Sequence, residues 1–269
     1  MVARFDAAAA AWWDLDGEAR WLHRYNPVRL DYIHRAGCRQ FDTDSLAGLR
    51  LLDIGCGAGV LCEPLARLGA TVVGIEPGAG NIAMARRHAE EAGLSIDYRC
   101  TTAEALADAG EQFDIVLAME VVEHVPDTRM FLSACGRLVR AGGLMILSTI
   151  NRTLKSFAFA IVGAEYVLGW LPRGTHHWEK LIMPEELNRW LAAAGLKQAD
   201  ITGVFYNPLT SAWGRSRDTD VNYVVVADKP KPEGAEAPAP KKRGRPPKAK
   251  SEEKAAATPA KSAPAKKKK

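Results

Sequence analysis

The 269-residue chain predicts an α/β fold, a mostly parallel, doubly wound sheet finished by a C-terminal antiparallel strand. Three features carry this expectation. Short, continuously apolar runs alternate with helical patterns, as a parallel sheet covered on both faces requires. A glycine-rich loop follows the first of these runs directly. All seven Trp and every branched aliphatic residue lie within residues 1–228, enough chain for one substantial core.

In chain order, residues 12–36 place Trp12, Trp13, Leu15, Trp21, Leu22 and Ile33 among charged positions. They predict a helical N-terminal cap, spanning about 5–45, with Pro27 interrupting it. Strands are expected at 49–54, 71–75, 96–100, 113–119 and 144–149. Helices are expected at 60–68, 82–92, 129–139 and 184–194, with Gly93 and Gly195 as stops for the second and fourth. Near the end, 201–206 and 221–227 read as an antiparallel pair. Sheets of this kind bind ligands beyond the carboxyl ends of their strands, where strand order reverses. Function is therefore sought after Ile54, Ile75, Cys100 and Met119.

Charge divides the chain. From Lys229 to Lys269 there are fourteen Lys/Arg against four Asp/Glu, a net of +10, so residues 1–228 carry 4 − 10 = −6. The segment 229–269 has no Trp, Phe, Tyr, Ile, Leu, Val or Met, and reads as a disordered Lys/Ala/Pro-rich tail. Five scattered cysteines without a CxxC pair suit a reducing cytoplasm rather than a disulfide scaffold. Neither a secretory leader nor a run of about 18 apolar residues is expected, so the chain reads as soluble or peripheral to a membrane. Collagen and coiled coil are excluded by composition.

The strongest motif is Leu51-Leu52-Asp53-Ile54-Gly55-Cys56-Gly57-Ala58-Gly59, a strand end opening into a helix. Glycines there let a ligand approach the backbone closely. A nicotinamide fingerprint would need glycine at 60, where valine stands. The spacing suits instead the amino-acid part of S-adenosylmethionine, with Asp53 ordering the loop or meeting the ammonium. Glu76, ending the second strand, can accept two ribose hydroxyls. Thr102-Ala103-Glu104 follows the third strand, where an adenine would rest. Met119-Glu120-Val121-Val122-Glu123-His124 follows the fourth. Together these segments resemble the class I S-adenosylmethionine-dependent methyltransferases, which have a Rossmann-like fold.

Trp12-Trp13-Asp14 with Gly17, then Leu22-His23-Arg24-Tyr25-Asn26-Pro27-Val28-Arg29, resemble the start of the ubiquinone biosynthesis O-methyltransferases. Val162-Gly163-Ala164-Glu165-Tyr166, Gly174-Thr175-His176, Tyr206-Asn207-Pro208 and Asp220-Val221-Asn222-Tyr223 extend the likeness. It implies an enzyme that methylates ring hydroxyls of 2-polyprenyl-6-hydroxyphenol and 3-demethylubiquinol. It also implies Arg29, Gly55, Glu76 and Met119 as cofactor contacts, with Glu76 standing where the family usually has Asp.

If the chain turns helical after Met119, Glu120, Glu123 and His124 at i, i+3 and i+4 share one face. They could then hold Mg²⁺ or another divalent cation, which the resemblance implies, or His124 could act as a general base. His176 and His177 are weaker candidates.

Residues 156–171 are apolar on nearly every helical face and flanked by Arg152, Lys155, Arg173 and Lys180. That pattern fits either a core helix or an element docked on anionic lipid, on the inner face of the membrane. The polyprenyl substrate, an anionic membrane surface and other enzymes of ubiquinone biosynthesis are the expected partners. Arg243-Gly244-Arg245-Pro246 resembles an AT-hook core, but a single short match in a biased segment does not make nucleic acid an expected partner. A methyltransferase for another small phenol and a DNA-associated protein anchored by its tail are the alternatives.

Overall fold

A computed structural model describes residues 12–17, 19–157, 178–207, 209–210 and 212–232. Most of the apolar insert, His176, His177 and nearly all of the basic tail lie outside these described residues. An eight-stranded sheet runs in the order β3-β2-β1-β4-β5-β8-β6-β7. Five strands are parallel: β1 (Arg50–Ile54), β2 (Thr71–Ile75), β3 (Asp97–Arg99), β4 (Phe113–Met119) and β5 (Val139–Ile150). The order reverses between β1 and β4, so the carboxyl ends of those strands flank the crevice where ligands bind.

The remaining strands, β6 (Lys197–Asn207), β7 (Ala212–Ser216) and β8 (Asn222–Asp228), are antiparallel. The pairing of β6 with β8 is the one the sequence predicts. β7 is an addition: Trp213 is its one large apolar residue, too little for a strand signal. β5 starts earlier than expected because a bulge between Phe113 and Ile115 lets Val139 pair ahead of the Gly142-Gly143 kink.

Helix α1 (Arg20–Phe41) passes through Pro27 without breaking. Its start is later than expected, because residues 14–17 form a turn closed by a Gly17 N–H to Asp14 carbonyl bond of 3.2 Å. Five further helices, α2 (Cys62–Arg67), α3 (Ala79–Glu91), α4 (Ala103–Asp108), α5 (Thr128–Leu138) and α6 (Pro184–Ala193), cover the sheet. Two cores result. Leu52, Val116, Leu132, Leu147 and Leu191 belong to one, and Ile33, Leu51, Leu65, Ile115 and Ile146 to the other. Alternate residues of one strand thus face opposite layers, which is why β1 and β4 read as unbroken apolar runs.

Caps explain several boundaries. Thr102 Oγ accepts from Ala105 N–H at the start of α4, and Asp127 accepts from Arg129 and Met130 N–H at the start of α5. Lys229, placed in the tail by composition, is bound into the body. Its amide and carbonyl pair with Gly143 and Gly142, and its ammonium donates to the Gly136 and Val139 carbonyls. Among the described residues no helix is long and apolar enough to cross a membrane.

Tyr223 is fully buried and donates its hydroxyl to the Ile182 carbonyl at 2.8 Å, tying β8 to the segment that leads into α6. Tyr223→Phe strands that carbonyl. It should cost about 1–3 kcal/mol, read as a lower urea midpoint with an unchanged slope.

Candidate active site

Beyond the carboxyl ends of β1, β2 and β4 lies a cleft of about 1140 Å³. Pockets for drug-sized ligands measure roughly 300–1,000 Å³, so this cleft has room for a nucleoside-sized ligand and a second ring together. Arg29, Asp53, Gly55, Gly57, Glu76, Met119, Glu120, Glu123 and His124 all line it. Gly59 does not: a side chain there would collide with the buried Tyr98 hydroxyl, so this glycine serves packing behind the loop rather than ligand approach.

The loop after β1 is built on left-handed backbone, with φ of +71° at Gly55 and +52° at Gly57. A Cβ at Gly55 would lie 2.6 Å from Val121, and one at Gly57 2.9 Å from the Trp12 ring. Asp53, almost fully buried, accepts from the Cys62 thiol at 3.2 Å. Burial raises its pKa to about 6, against the opposing pull of that hydrogen bond and of Arg29. Glu76 accepts from the Gly78 amide at 3.1 Å, which fixes its carboxylate at the β2 end.

Arg29 is buried, only 5% exposed. Its Nη1 pairs with Glu120 Oε2 at 2.9 Å and its Nη2 with Asn26, while its buried Nε has no hydrogen-bond partner among the described residues. Glu120 is held in a left-handed conformation, φ +56°, which an L-residue adopts at a cost. Ser148 explains how it stays there: its Oγ accepts from the Glu120 amide at 3.0 Å and donates to Glu120 Oε1 at 2.7 Å.

That kink corrects one expectation. The chain after Met119 forms a turn, not a helix, so Glu120, Glu123 and His124 do not share a helical face. Glu120 faces Arg29 and Ser148, whereas Glu123 accepts from Thr149 Oγ at 2.9 Å. Among the described residues no three His, Cys, Asp or Glu side chains are grouped as a metal site requires. Glu123 is 3% exposed, and its Oε1 has no partner among the described residues. Burial, with Glu120 adding, raises its pKa to about 7.

The far wall is aromatic. Tyr25 and Trp213 stand 4.8 Å apart at 36°, and Tyr206 and Trp213 5.5 Å apart at 57°. All three line the cleft beside Glu120, with the Arg29 guanidinium 4.9 Å from the Tyr25 ring. Burial foremost, then Glu120, raises the Tyr25 pKa, so its phenol stays protonated. Sequence reasoning missed Tyr25, Ser148, Thr149 and Trp213 as site residues. Ser148 and Thr149 had a usable signal, two hydroxyls at the carboxyl end of a parallel strand. Trp213 had none, because β7 itself was not legible.

A glycine cradle and an acid at adjacent strand ends of a doubly wound sheet suit a nucleoside cofactor, and residues 19–200 match a methyltransferase-domain family, which makes the class a methyltransferase. A relative from Brucella anthropi named ubiquinone biosynthesis O-methyltransferase is 58% identical over 85% of this chain and 94% of its own. One of the same name from Chelativorans sp. is 59% identical over 85% and 92%. The chain belongs to the ubiquinone biosynthesis O-methyltransferase family.

Solved structures agree on the fold. The magnesium protoporphyrin IX methyltransferase of Synechocystis PCC 6803, with bound S-adenosylhomocysteine, superposes with a TM-score of 0.54 at 21% identity, over 72% of this chain and 80% of that one. An S-adenosylmethionine-dependent methyltransferase from Clostridium acetobutylicum gives 0.56 at 13% identity, over 78% and 98%.

The buried Glu123 sets a pH dependence. Its folded pKa, about 7, lies above the unfolded value of 4.5, so the stability it contributes is full below about 4.5 and is lost as pH rises through 7. Glu123→Gln keeps the shape without the ionisation. Relative to this variant, wild type should lose on the order of 1–3 kcal/mol between pH 5 and 8, measured by urea unfolding across that range. Parallel curves for the two proteins would mean that Glu123 is solvated.

Proposed function

We propose that this chain transfers a methyl group from S-adenosyl-L-methionine to a ring hydroxyl of polyprenyl phenols and quinols, namely 2-polyprenyl-6-hydroxyphenol and 3-demethylubiquinol, in ubiquinone biosynthesis. The observation that carries the reading is the single cleft that runs from the glycine loop and Glu76 to Glu123, His124 and the aromatic wall, in a member of this family.

The residues present fit the cofactor. Gly55 and Gly57 line the part of the cleft that suits its methionine part, Asp53 suits the ammonium, and Arg29 has a buried Nε–H to offer the carboxylate. Glu76 suits the ribose hydroxyls, and Met119 closes the floor. Bound, S-adenosyl-L-methionine supplies a sulfonium methyl group open to in-line displacement.

The chain's own work is on the acceptor. Tyr25, Tyr206 and Trp213 give the ring a flat apolar wall, and the 119–125 turn presents Glu123 and His124 to its hydroxyl. A free phenol titrates near about 10 and is a weak nucleophile until it loses its proton. Glu123 takes that proton. Its pKa near 7 suits a base at neutral pH, and its Oε1 needs a partner. The phenolic oxygen then bonds to the methyl carbon as the carbon–sulfur bond breaks, which leaves S-adenosylhomocysteine and the methyl ether. His124, beside Glu123 on the same cleft wall, passes the proton on to solvent.

The substrate's prenyl chain keeps it in lipid, at about 0.8 kcal/mol per buried methylene, so we also propose docking on an anionic membrane. Leu154 and Phe157, 83% and 44% exposed at the entry to the apolar insert, support it. The flanking cations contribute less than their sequence suggests, since Arg152 pairs with Glu186 at 2.6 Å and Lys155 with Asp218 and Asp220.

Transfer of labelled methyl to short-chain demethylubiquinol tests the activity. Wild type should turn over, Glu123→Gln should be slower by about 10²–10⁴-fold, and Gly55→Val, if folded, should fail to bind S-adenosylhomocysteine. Rate loss under a chelator, restored by Mg²⁺, would mean that Glu120 leaves Arg29 and turns toward Glu123. For the membrane, Leu154→Asp with Phe157→Asp should release the protein from anionic vesicles in co-sedimentation. Unchanged retention, with residues 233–269 removed as well, would end the docking idea.

A further inference from the structure

We infer that Trp12 is a cofactor-binding residue, a lid over the amino-acid end of the cofactor, and that Trp13 and His88 are the latch that positions it. This rests on the S-adenosyl-L-methionine reading of the cleft and assigns roles that neither the glycine motif nor the family likeness gives.

The strap is short and heavily anchored. Asp14 makes the turn: its Oδ1 accepts from the Asp16 amide at 3.0 Å and its carbonyl from Gly17. A side chain at Gly17 would come within 2.8 Å of the Asp14 carboxylate, so this reversal requires glycine. Both indoles are thereby carried onto the glycine loop. Trp13 lies flat on the His88 ring of α3, with centroids 3.4 Å apart and planes 4° from parallel, and donates its Nε1–H to the Ala58 carbonyl at 3.0 Å. His88 is in turn fixed by the buried Glu63 of α2, Nδ1 to Oε1 2.5 Å. From α1, His23 Nε2 reaches the Trp12 carbonyl at 2.8 Å.

What these anchors hold in place is the Trp12 ring. It lines the cleft against Gly57, so close that a Cβ there would be 2.9 Å away. Its indole N–H is buried and has no hydrogen-bond partner among the described residues. A buried donor in the wall of a ligand cleft calls for an acceptor. The glycine loop is where the methionine part lies, and the carboxylate is the strongest acceptor on that part. The ring face meanwhile covers the methionine chain and shields it from water. Because the strap crosses the loop, it must lift for the product to leave.

Calorimetric titration of the full chain with S-adenosylhomocysteine and with 5′-methylthioadenosine, which lacks the amino-acid end, separates the possibilities. Trp12→Phe keeps a ring and removes the N–H. It should weaken S-adenosylhomocysteine about five- to tenfold and leave methylthioadenosine unchanged. Trp13→Leu should speed S-adenosylhomocysteine dissociation and raise the cofactor KM by a larger factor than it lowers kcat. Trp13→Phe, which retains a ring on His88, should recover most of that loss. Folded Trp12→Phe and Trp13→Leu proteins that bind S-adenosylhomocysteine as wild type does would overturn the lid and leave the strap a structural anchor. Equal weakening of both ligands would put the indole on the nucleoside instead and overturn the carboxylate contact. If wild type itself fails to bind S-adenosylhomocysteine, the cofactor reading falls first.

Discussion

The cleft is organised by one part-buried ion pair, Arg29 with Glu120. It joins the N-terminal helix to the end of β4, with the guanidinium 5% exposed and the carboxylate 26%. A guanidinium so enclosed is costly unless paired, and breaking such a pair from one side commonly costs about 3–5 kcal/mol. The pair therefore dictates its surroundings. Asn26 must turn inward beside Arg29, Ser148 must hold Glu120 from both the amide and the carboxylate, and the β4 end must kink through a left-handed residue. That kink, in turn, directs Glu123 into the sheet edge beside Thr149 rather than along a helix.

Two acids that line the cleft, Asp53 and Glu123, have raised pKa values, and burial is the first cause for both. Their neighbourhoods differ. Asp53 lies under the loop with a thiol donor and a nearby cation, which limits the rise. Glu123 has the Thr149 hydroxyl but also the Glu120 charge against it. The same chemical group, a carboxyl, thus meets two different surroundings within one cleft.

Much of the fold was legible because it is written in periodicity. β2 and β4 fall at the residues expected, and α5 and α6 within one or two, since continuous apolar strands and capped amphipathic helices leave clear signals. The glycine loop and Glu76 could be placed because each directly follows a continuous apolar run, and Gly55, Gly57 and Glu76 all line the cleft. The relation among Glu120, Glu123 and His124 was not legible. Spacing alone implies a helix, and nothing local announces that Ser148, 28 residues away, will trap Glu120 at positive φ. Gly59 was misjudged for a similar reason: its neighbour is Tyr98, brought up by β3. Likewise, the aromatic wall depends on β7, whose residues are half-exposed and carry no alternating pattern.

The seal at Lys229 has a practical side. Asp228 pairs with Leu144, just after the Gly142-Gly143 kink of β5, while the cleft-lining Ser148 and Thr149 sit at that strand's carboxyl end. The main chain therefore quits the sheet on the side away from the chemistry, after its last backbone bonds to Gly142 and Gly143. Attachments made beyond Pro232, whether affinity handles, fluorophores or surface linkers, start from the quiet end of the molecule.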